Sequence, residues 1–374
     1  MDLGLDEAQQ MLKTSAREFL EAECTDTFVR EMEEDERGFT PELWQKLTEQ
    51  GWLGMVFPEE YGGFGLSFFD LTVLLEETGA AMLPGPLFAT VVLGGMTIME
   101  AGSEEQKRQF LPSIAEGKSI VTLALLEPTA NWRPEGVEST AAARDDGYIL
   151  SGTKLFVPYA NVSDQIIVAA RTGVGVRDIT LFLVPRAADG MAHTLLKTIA
   201  SDRQSELELK DVSVPSTAVV GEVNGGWDTI EKVLKWGAVG KCAEMVGGGG
   251  KVLDMTVEYA KQRVQFGRPI GTFQAVQHHC ANMASDVEGS RYVTYRAAWR
   301  LSEGDPAEQE VAVAKAWVSD AYRRVCALGH QVHGAIGFTK EHNMQLYSRR
   351  AKEAELAFGD SDFHLEAVTT GIGL

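Results

Sequence analysis

Arg263, Gln265 and Phe266 form the stretch of this chain whose residue types best suit ligand chemistry. They lie between two apolar-periodic segments, and Pro269 followed by Thr272 predicts that one helix stops and another begins at a Thr272 N-cap. Two helices should therefore meet at a tight corner. A guanidinium fork suits phosphate, while an adjacent amide and aromatic face suit a planar group. The corner predicts a site for a phosphorylated, planar ligand, and an ordinary turn with a solvated arginine is the alternative.

The elements that must position this corner follow from the periodicity of the apolar residues. Residues 1–117 repeat apolar positions every three or four residues, which predicts an N-terminal α-helical domain. Residues 118–224 contain short β-branched runs, which predict a middle β-sandwich or barrel domain. Residues 225–374 return to long helices and predict a C-terminal four-helix-bundle-like domain. The fold class is therefore α+β. The helices predicted in the last region are 227–262, 272–303, 306–329, 341–353 and one from 361 onwards.

Charge and cysteine usage exclude several classes of function. The formal net charge is −20 over 374 residues, so the field of the whole molecule repels nucleic acid and anionic membrane surfaces. The longest apolar run, around Pro86 to Met99, is too short and too interrupted by glycine to span a bilayer. The N-terminus lacks the pattern of a secretion signal. Four scattered cysteines predict neither disulfides nor a zinc site, so we expect a cytoplasmic protein that binds no nucleic acid and no membrane.

A run of glycines, Gly247 to Gly250, precedes Lys251 in the middle of a predicted helix. The spacing of a phosphate-binding loop is absent and no strand precedes the run, so a nucleotide-binding loop is not predicted. Glycine inside a helix costs up to about 1 kcal/mol relative to alanine. The run therefore predicts a position where another helix or a ligand approaches closely. The seven histidines show no metal-binding spacing, so no metal site is expected.

Three motifs together resemble those of the acyl-CoA dehydrogenase family. They are RVQFGRPIGTFQ at 263–274, QVHGAIGFTKEH at 331–342 and GYILSGTKLFVPYA at 147–160, in an α–β–α layout over essentially the full chain. The resemblance implies an FAD flavoprotein, usually a tetramer built as a dimer of dimers. Such enzymes remove the α-proton of an acyl-CoA with a carboxylate and pass the β-hydrogen to the flavin as hydride. An electron-transfer flavoprotein or a similar acceptor is the implied redox partner.

In the family that this chain resembles, two subunits hold each cofactor, and the residues donated to the neighbour's cofactor are well matched here. The corner corresponds to contacts with the FAD pyrophosphate, and the 331–337 turn corresponds to contacts at the adenosine end. One departure occurs, where Ala335 replaces a glycine. The implied cofactor-binding residues on this side are Arg263, Gln265, Phe266, Gln331, Gly334 and Ala335.

The flavin contacts that a subunit makes to its own cofactor are less well matched. In the loop LLEPTANWRPEG, the residues 131–133 replace the family's Gly-Ser-Asp, while Glu127 matches a glutamate that we interpret as structural. Phe156, Val157 and Pro158 stand in place of Trp-Ile-Thr. Phe156 can still stack on a flavin, but Pro158 offers neither a hydroxyl nor a backbone N–H. Arg203 is expected to face either the cofactor or the surface.

The resemblance also implies that the catalytic base is missing. Phe358 occupies the position of the family's glutamate, and a phenyl ring cannot accept a proton. The alternative position for the base lies 26 residues before Arg263 and is occupied by Gly237. Asp360 is a weak candidate for a substitute base. Its competing interpretation is an N-cap of the last helix, where carboxylates are favoured.

The leading hypothesis is a non-catalytic subunit of a heteromeric acyl-CoA dehydrogenase. Such a chain would support the FAD of a homologous partner that carries the catalytic glutamate, in an assembly acting on an acyl-CoA thioester, such as a bulky steroid side-chain type. A first alternative is a homo-oligomeric acyl-CoA dehydrogenase that uses a non-standard base such as Asp360. A second is a flavin-free scaffold with the same fold.

Overall fold

The N-terminal part of the computed structural model, which describes residues 4–374, is helical as predicted. Three of its helices begin at capping boxes formed by Asp6, Ser67 and Ser103, whose side chains accept from backbone N–H groups that the helix leaves unbonded. A π-helical stretch, Ala89–Gly95, leads into the fifth helix. The helices are α1 Glu7–Glu23, α2 Asp26–Glu34, α3 Pro41–Glu49, α4 Phe68–Ala81, α5 Met96–Ala101 and α6 Glu104–Ala115.

The middle of the chain forms one mixed β-sheet. Its strands are β1 Val121–Ala124, β2 Thr140–Arg144, β3 Gly147–Pro158, β4 Gln165–Arg171, β5 Ile179–Pro185, β6 Met191–Leu195, β7 Gln204–Pro215 and β8 Val219–Val220. Their order is β6-β7-β3-β2-β4-β5-β8, with β1 pairing in parallel with β4. Side chains from β1 to β5 and from β7 share a single core that includes Ile166, Phe182 and Leu207. This arrangement confirms the predicted middle β region and the α+β class.

The C-terminal part returns to long helices. They are α7 Gly226–Gln262, α8 Gln274–Ser302, α9 Glu308–His333, α10 Met344–Leu356 and α11 Ser361–Gly371, with two short strands, β9 Val264–Gln265 and β10 Arg268–Pro269. The prediction of an N-cap at Thr272 was wrong. The residue before α8 is Phe273, which makes no capping hydrogen bond, and the Thr272 hydroxyl instead donates to Pro269 O at 2.7 Å.

Backbone contacts divide the chain into two compact units that do not follow the chain order. The helical unit comprises the chain up to Arg30, Ser67–Leu83 and Ala238–Leu374, and the sheet unit comprises Glu31–Leu66 and Pro84–Gly237. The N-terminal helices are therefore distributed between the two units. The division into domains 1–117, 118–224 and 225–374 stays a prediction. No helix within residues 4–374 is long and apolar enough to cross a membrane.

Helices α4 and α7 of the helical unit touch through their backbones. A Cβ at Gly247 would lie 1.8 Å from Glu76 O, and a Cβ at Gly79 would lie 2.1 Å from Glu244 O. These distances are far below van der Waals contact, so neither position can hold a side chain without moving a helix. The glycine run therefore allows close helix packing, as the sequence predicted.

A buried carboxylate joins three helices of the same unit. Glu76 on α4 accepts from Lys13 of α1 at 2.8 Å, and from Arg291 at 3.0 Å and Tyr295 at 2.6 Å, both of α8. Burial alone acts to raise the pKa of Glu76, but the two cations outweigh it and the pKa is lowered. The contacts satisfy a charge that would be costly in isolation.

Candidate functional site

The corner at residues 263–269 is a two-residue β-hairpin rather than a direct junction of two helices. Gln265 pairs with Arg268 across it, and Phe266 and Gly267 have φ values of 53° and 79°. Positive φ at both central residues is the geometry of a type I′ turn, which normally favours Asn or Gly. Phe266 is thus held in a conformation that is unfavourable for an aromatic residue, and its side chain is 91% exposed.

Local contacts stiffen the hairpin while leaving its tip open. The Arg268 guanidinium lies 4.3 Å from the centre of the Phe273 ring, and Phe266 meets Phe273 edge to face at 6.0 Å. Ile270 N donates to Arg263 O at 2.8 Å. The side chains of Arg263 and Gln265 are exposed and make no hydrogen bond to another residue of the described chain. Both remain available to a ligand outside this chain.

The second predicted binding segment follows the end of α9. A 3-10 turn, Gly334–Phe338, begins with Gly334 at φ 66°, a value that favours glycine. Gln331 and Ala335 are exposed, so the structure keeps them accessible at the end of α9 and in the turn. Gly337 is buried, and a Cβ there would lie 3.0 Å from His333 Cβ. The turn therefore packs tightly on α9, and its exposed side can receive a ligand.

In the sheet unit, Glu127 has the structural position that we interpreted from the sequence. It is buried, and it accepts from Lys154 Nζ at 2.6 Å and from the backbone N–H groups of Glu138 and Ser139 at 2.9 and 3.0 Å. Lys154 is also fully buried. The Glu127–Lys154 pair anchors the start of the loop 125–136. Both carboxylate oxygens of Glu127 accept these hydrogen bonds, so neither is free for chemistry.

Arg171 fixes the residues that follow the part of this loop that departs from the family pattern. The Arg171 guanidinium donates to Pro134 O at 2.9 Å, to Val137 O at 2.9 Å and to Gly175 O at 2.7 Å. Asn131 Oδ1 accepts from Arg133 N at 3.0 Å, which closes a local turn. The segment 131–133 is thus a well-defined loop of different chemistry, and not the Gly-Ser-Asp surface of the family.

Phe156 occupies an irregular position in strand β3. The register between β3 and β7 shifts between Lys154 and Val157, and Phe156 has a φ of 54° with 45% of its surface exposed. The strand ends at Pro158 opposite Gln204. The Phe156 ring is accessible for stacking, while Pro158 lacks the N–H that a ligand would need.

Arg203 is buried, so the alternative expectation that it faces the surface was wrong. Its guanidinium is buried and donates to Met32 O at 2.8 Å, Glu33 O at 2.9 Å and Asp35 O at 2.8 Å. These are carbonyl groups at the C-terminal end of α2, where an α-helix leaves acceptors unbonded. Arg203 caps this helix end, and this role can be recognised only from the tertiary structure.

Neither predicted base position carries an acid. Phe358 lies in the turn between α10 and α11 at φ 58°, and its carbonyl accepts from His364 Nε2 at 2.8 Å. Gly237 is buried within α7. Both positions therefore lack a group that could remove a proton.

Asp360 caps the last helix. It is the N-cap residue of α11, and its Oδ1 accepts from Phe363 N at 2.9 Å. The adjacent Phe358–Gly359 turn is fixed by Lys315, a buried residue on α9 that the sequence analysis did not single out. Its only sequence signal is a lysine on an apolar helix face beside Val311, Ala314 and Val318. No group of three or more potential metal ligands is assembled within residues 4–374.

The two halves of the predicted site fit FAD unequally. In the helical unit, an exposed arginine fork, an amide and an aromatic ring around a rigid hairpin fit the phosphate and aromatic parts of a dinucleotide. In the sheet unit, Phe156 offers a ring, but the loop 131–133 and Pro158 lack the hydroxyl and N–H groups of the family pattern. The chain thus fits the role of contributing to a cofactor better than that of holding one alone.

Comparisons with known proteins agree with this architecture. Models of the acyl-CoA dehydrogenase N-terminal, middle and C-terminal domains match residues 6–118, 122–212 and 224–373. The acyl-CoA dehydrogenase FadE27 of Mycobacterium tuberculosis is 33% identical over 376 residues, which covers 98% of each chain. A chain of the ChsE4-ChsE5 complex from Mycobacterium tuberculosis superimposes with a TM-score of 0.91 at 32% identity, covering 100% of this chain and 99% of that one. The FAD complex of PigA gives a TM-score of 0.93 at 25% identity, covering all of both chains. FAD is the cofactor that these likenesses indicate.

Proposed function

Because this chain belongs to the acyl-CoA dehydrogenase family of FAD-dependent oxidoreductases, which act on CH–CH bonds, we propose that it is the base-lacking subunit of a heteromeric enzyme. One observation carries the proposal. The binding hairpin is intact and points outward, while both positions for a base are occupied by Phe358 and Gly237. The residues that serve another chain are present, and the residue that serves this chain's own chemistry is missing.

The geometry of the hairpin supports a role towards a partner. Phe266 is 91% exposed at the tip of the turn, and its positive φ value is energetically unfavourable for an aromatic residue. Such backbone strain persists where surrounding contacts impose it. An exposed aromatic residue beside an arginine is typical of an interface anchor. In a chain with a net charge of −20, a phosphate needs a local arginine to overcome the overall field, and Arg263 provides it.

On this proposal the chain's residues bind and orient without removing a proton. Arg263 and Gln265 hold the pyrophosphate region of FAD bound by the partner, and Gln331 with the Gly334–Phe338 turn supports its adenosine end. Bound FAD supplies the hydride acceptor for the α,β-desaturation. The proton acceptor is the glutamate of the homologous partner, because Asp360 is engaged as a helix cap.

The substrate and the assembly follow from the same proposal. The substrate is an acyl-CoA thioester, with a bulky acyl group of the steroid side-chain type as the expected class, and the similarity to a chain of the ChsE4-ChsE5 complex supports a heteromer. The assembly is a dimer of dimers that passes electrons to an electron-transfer flavoprotein or a similar acceptor.

The test is co-expression of this chain with a homologous chain that carries the glutamate. We expect the complex to bind FAD and oxidise acyl-CoA thioesters, whereas this chain alone does neither. Arg263→Ala should lower FAD occupancy of the complex by roughly tenfold or more, since charge-assisted phosphate contacts are worth about 1.5–3 kcal/mol. Arg144→Ala, at an exposed arginine of β2, is the matched control and should leave occupancy unchanged.

Two results would count against the proposal. The first is stoichiometric FAD and acyl-CoA oxidation by the purified chain alone, which would favour the homo-oligomeric alternative. The second is an absence of flavin from the complex even after FAD is added, which would favour a flavin-free scaffold. Replacing the partner's glutamate by glutamine should abolish turnover while FAD remains bound.

A further inference from the structure

Three histidines lie beneath the Gly334–Phe338 turn, and no part of the proposed function uses them. This histidine cluster consists of His330 and His333 on α9 and His342 just before α10. The His330 ring stacks on Phe338 at 4.4 Å with an interplanar angle of 21°, and His333 meets His342 edge to face at 4.8 Å. The Gly334–Phe338 turn therefore packs against the histidine cluster.

The hydrogen bonds of His330 determine which nitrogen carries the proton when its ring is neutral. The Ser348 hydroxyl donates to Met344 O at 2.7 Å, so its oxygen is left to accept from His330 Nε2–H at 2.6 Å. The other nitrogen, Nδ1, then carries a lone pair. Nδ1 is enclosed and has no hydrogen-bond partner within the described chain. A Cβ at Gly337 would lie 3.3 Å from it, so the turn packs directly over this nitrogen.

A proton added to His330 Nδ1 would therefore create a buried donor without an acceptor. Such a group costs roughly 1–3 kcal/mol, and more when it is charged. The cost disappears if the Gly334–Phe338 turn lifts and admits water. Protonation and a closed turn at this position thus oppose each other for geometric reasons.

Protonation is also unfavourable at the other two histidines of the cluster. His342 Nδ1 accepts from Met344 N at 3.2 Å, and a proton on that nitrogen would remove the acceptor. His333 Nδ1–H donates to Gly329 O at 2.8 Å, and its ring stacks on Tyr259 of α7 at 4.5 Å. A single charge on one ring would repel a charge on either of the others.

Apart from the Gly329 carbonyl, which favours a protonated His333, the groups that face the cluster carry no negative charge to compensate a positive one. They are the Tyr259 ring from α7, the Ser348 hydroxyl from α10 and the Arg30 guanidinium from α2, which donates to Lys340 O at 2.7 Å and to Glu341 O at 3.0 Å. No ion pair joins any of the three imidazoles to a carboxylate among residues 4–374. Burial lowers the pKa of all three, the neighbouring rings lower the pKa of His330 and His342 further, and Arg30 adds to the effect on His342.

We propose that His330 is a positioning residue whose neutral ring holds the Gly334–Phe338 turn closed, so that protonation of the histidine cluster opens the turn and releases the cofactor contacts that the turn makes. The inference rests on the proposed function for the link to FAD. The closed turn itself is a property of this chain. It can therefore be tested without any cofactor or partner.

The first experiment follows the turn in this chain alone. Histidine titrations by NMR and amide hydrogen exchange at residues 334–338 are measured from about pH 7.5 to about pH 5, across the ordinary histidine pKa of about 6.5. We expect exchange protection to fall as the cluster protonates. His330→Phe keeps a ring against Phe338 without a titrating nitrogen, and should retain protection at the acidic end. His278→Gln, at an exposed histidine of α8, should behave as the wild type.

A second variant keeps the result interpretable if His330→Phe packs poorly. His330→Gln retains an N–H donor for Ser348 and also cannot titrate. If both variants lose protection at neutral pH, the wild-type data decide alone. Protection that stays constant while the rings titrate would overturn the proposal, as would an opening midpoint that does not coincide with any ring of the cluster.

The second experiment measures FAD affinity of the heteromer over the same pH range. One linked proton raises the dissociation constant by up to about tenfold per pH unit below the wild-type titration midpoint. His330→Phe should flatten this dependence. A complex that binds no FAD at any pH counts against the proposed function and leaves the exchange result standing. A turn that opens while FAD affinity stays constant with pH overturns the positioning role.

Discussion

Lys315 Nζ donates a hydrogen bond to Gly359 O at 2.9 Å. The same ammonium donates to Glu355 O at 2.9 Å and to Ser319 Oγ at 3.1 Å, and its side chain is fully buried. Lys315 thereby holds the end of α10 and the turn that contains Phe358. Burial lowers the pKa of Lys315 to about 8.

Replacing Lys315 by methionine should destabilise the protein. The Lys315→Met side chain is of similar length but leaves two backbone carbonyls without their donor, at a cost of roughly 1–3 kcal/mol. Urea unfolding measures the change. Lys352→Met is the matched control, because Lys352 is exposed and pairs with Glu355 on the surface of the same segment, where an ion pair is worth less than about 1 kcal/mol.

The loss on Lys315→Met should also depend on pH. Lys315 releases its proton at about pH 8 in the folded protein and at about pH 10.4 in the unfolded chain, so the unfolded state binds more protons between these values. Wild-type stability relative to Lys315→Met should therefore rise as the pH increases through this window. A difference that stays constant or falls would show that the buried ammonium is not penalised.

His364 should make folding sensitive to acid. Burial lowers its pKa to about 4, and its Nε2–H donates to Phe358 O at 2.8 Å. The unfolded chain takes up this proton near pH 6.5, so stability should be lost as the pH falls from about 6.5 to about 4, by roughly 2–3 kcal/mol. His364→Gln keeps an N–H donor and should remove this part of the dependence in urea titrations. His278→Gln should not, and equal slopes for the two variants would contradict the prediction.

The glycine run should respond very differently at two of its positions. Gly247→Ala places a methyl group 1.8 Å from Glu76 O, which should cost roughly 3 kcal/mol, at the upper end of overpacking effects. Gly250→Ala places one 4.0 Å from Val287 Cγ1 and should stabilise by up to about 1 kcal/mol through helix propensity. Thermal unfolding of both variants measures the contrast. Equal effects would mean that α4 and α7 are not in backbone contact.

Substitutions of Asp360 distinguish its role as a helix cap from a role as the catalytic base. Asp360→Asn keeps a capping oxygen for Phe363 N, so stability should be nearly unchanged, and turnover of the heteromer should also be unchanged. Asp360→Ala should cost about 0.5–2 kcal/mol of stability without abolishing turnover. If Asp360→Asn folds normally but eliminates turnover, Asp360 is the base and the homo-oligomeric alternative gains support.

The order and type of the helices and strands could be predicted from the sequence because most of them show a strong periodicity of apolar residues. The helix predicted at 227–262 is Gly226–Gln262, and that predicted at 272–303 is Gln274–Ser302. Boundaries failed where tertiary contacts decide. The helix predicted at 306–329 continues to His333, since His333 is buried and hydrogen-bonded to Gly329.

The features of the site that escaped prediction depend on residues far apart in sequence or on rare backbone angles. The hairpin at 264–269 was missed because each of its strands has two residues and Phe266 adopts an angle that aromatic residues rarely take. Arg203 was missed because its partners, the carbonyls at the end of α2, lie about 170 positions earlier in the chain. The tautomer of His330 depends on Ser348 and needs coordinates.

The crossing of α4 and α7 has a consequence for how such a protein can diverge. Where Gly79 and Gly247 meet the opposite helix, peptide groups alone set the distance between the two axes. Exchanges elsewhere on these helices can then change size or polarity without altering that distance. A scaffold with such fixed dimensions can lose a reactive side chain in one homologue and keep the shape by which that homologue recognises a related subunit.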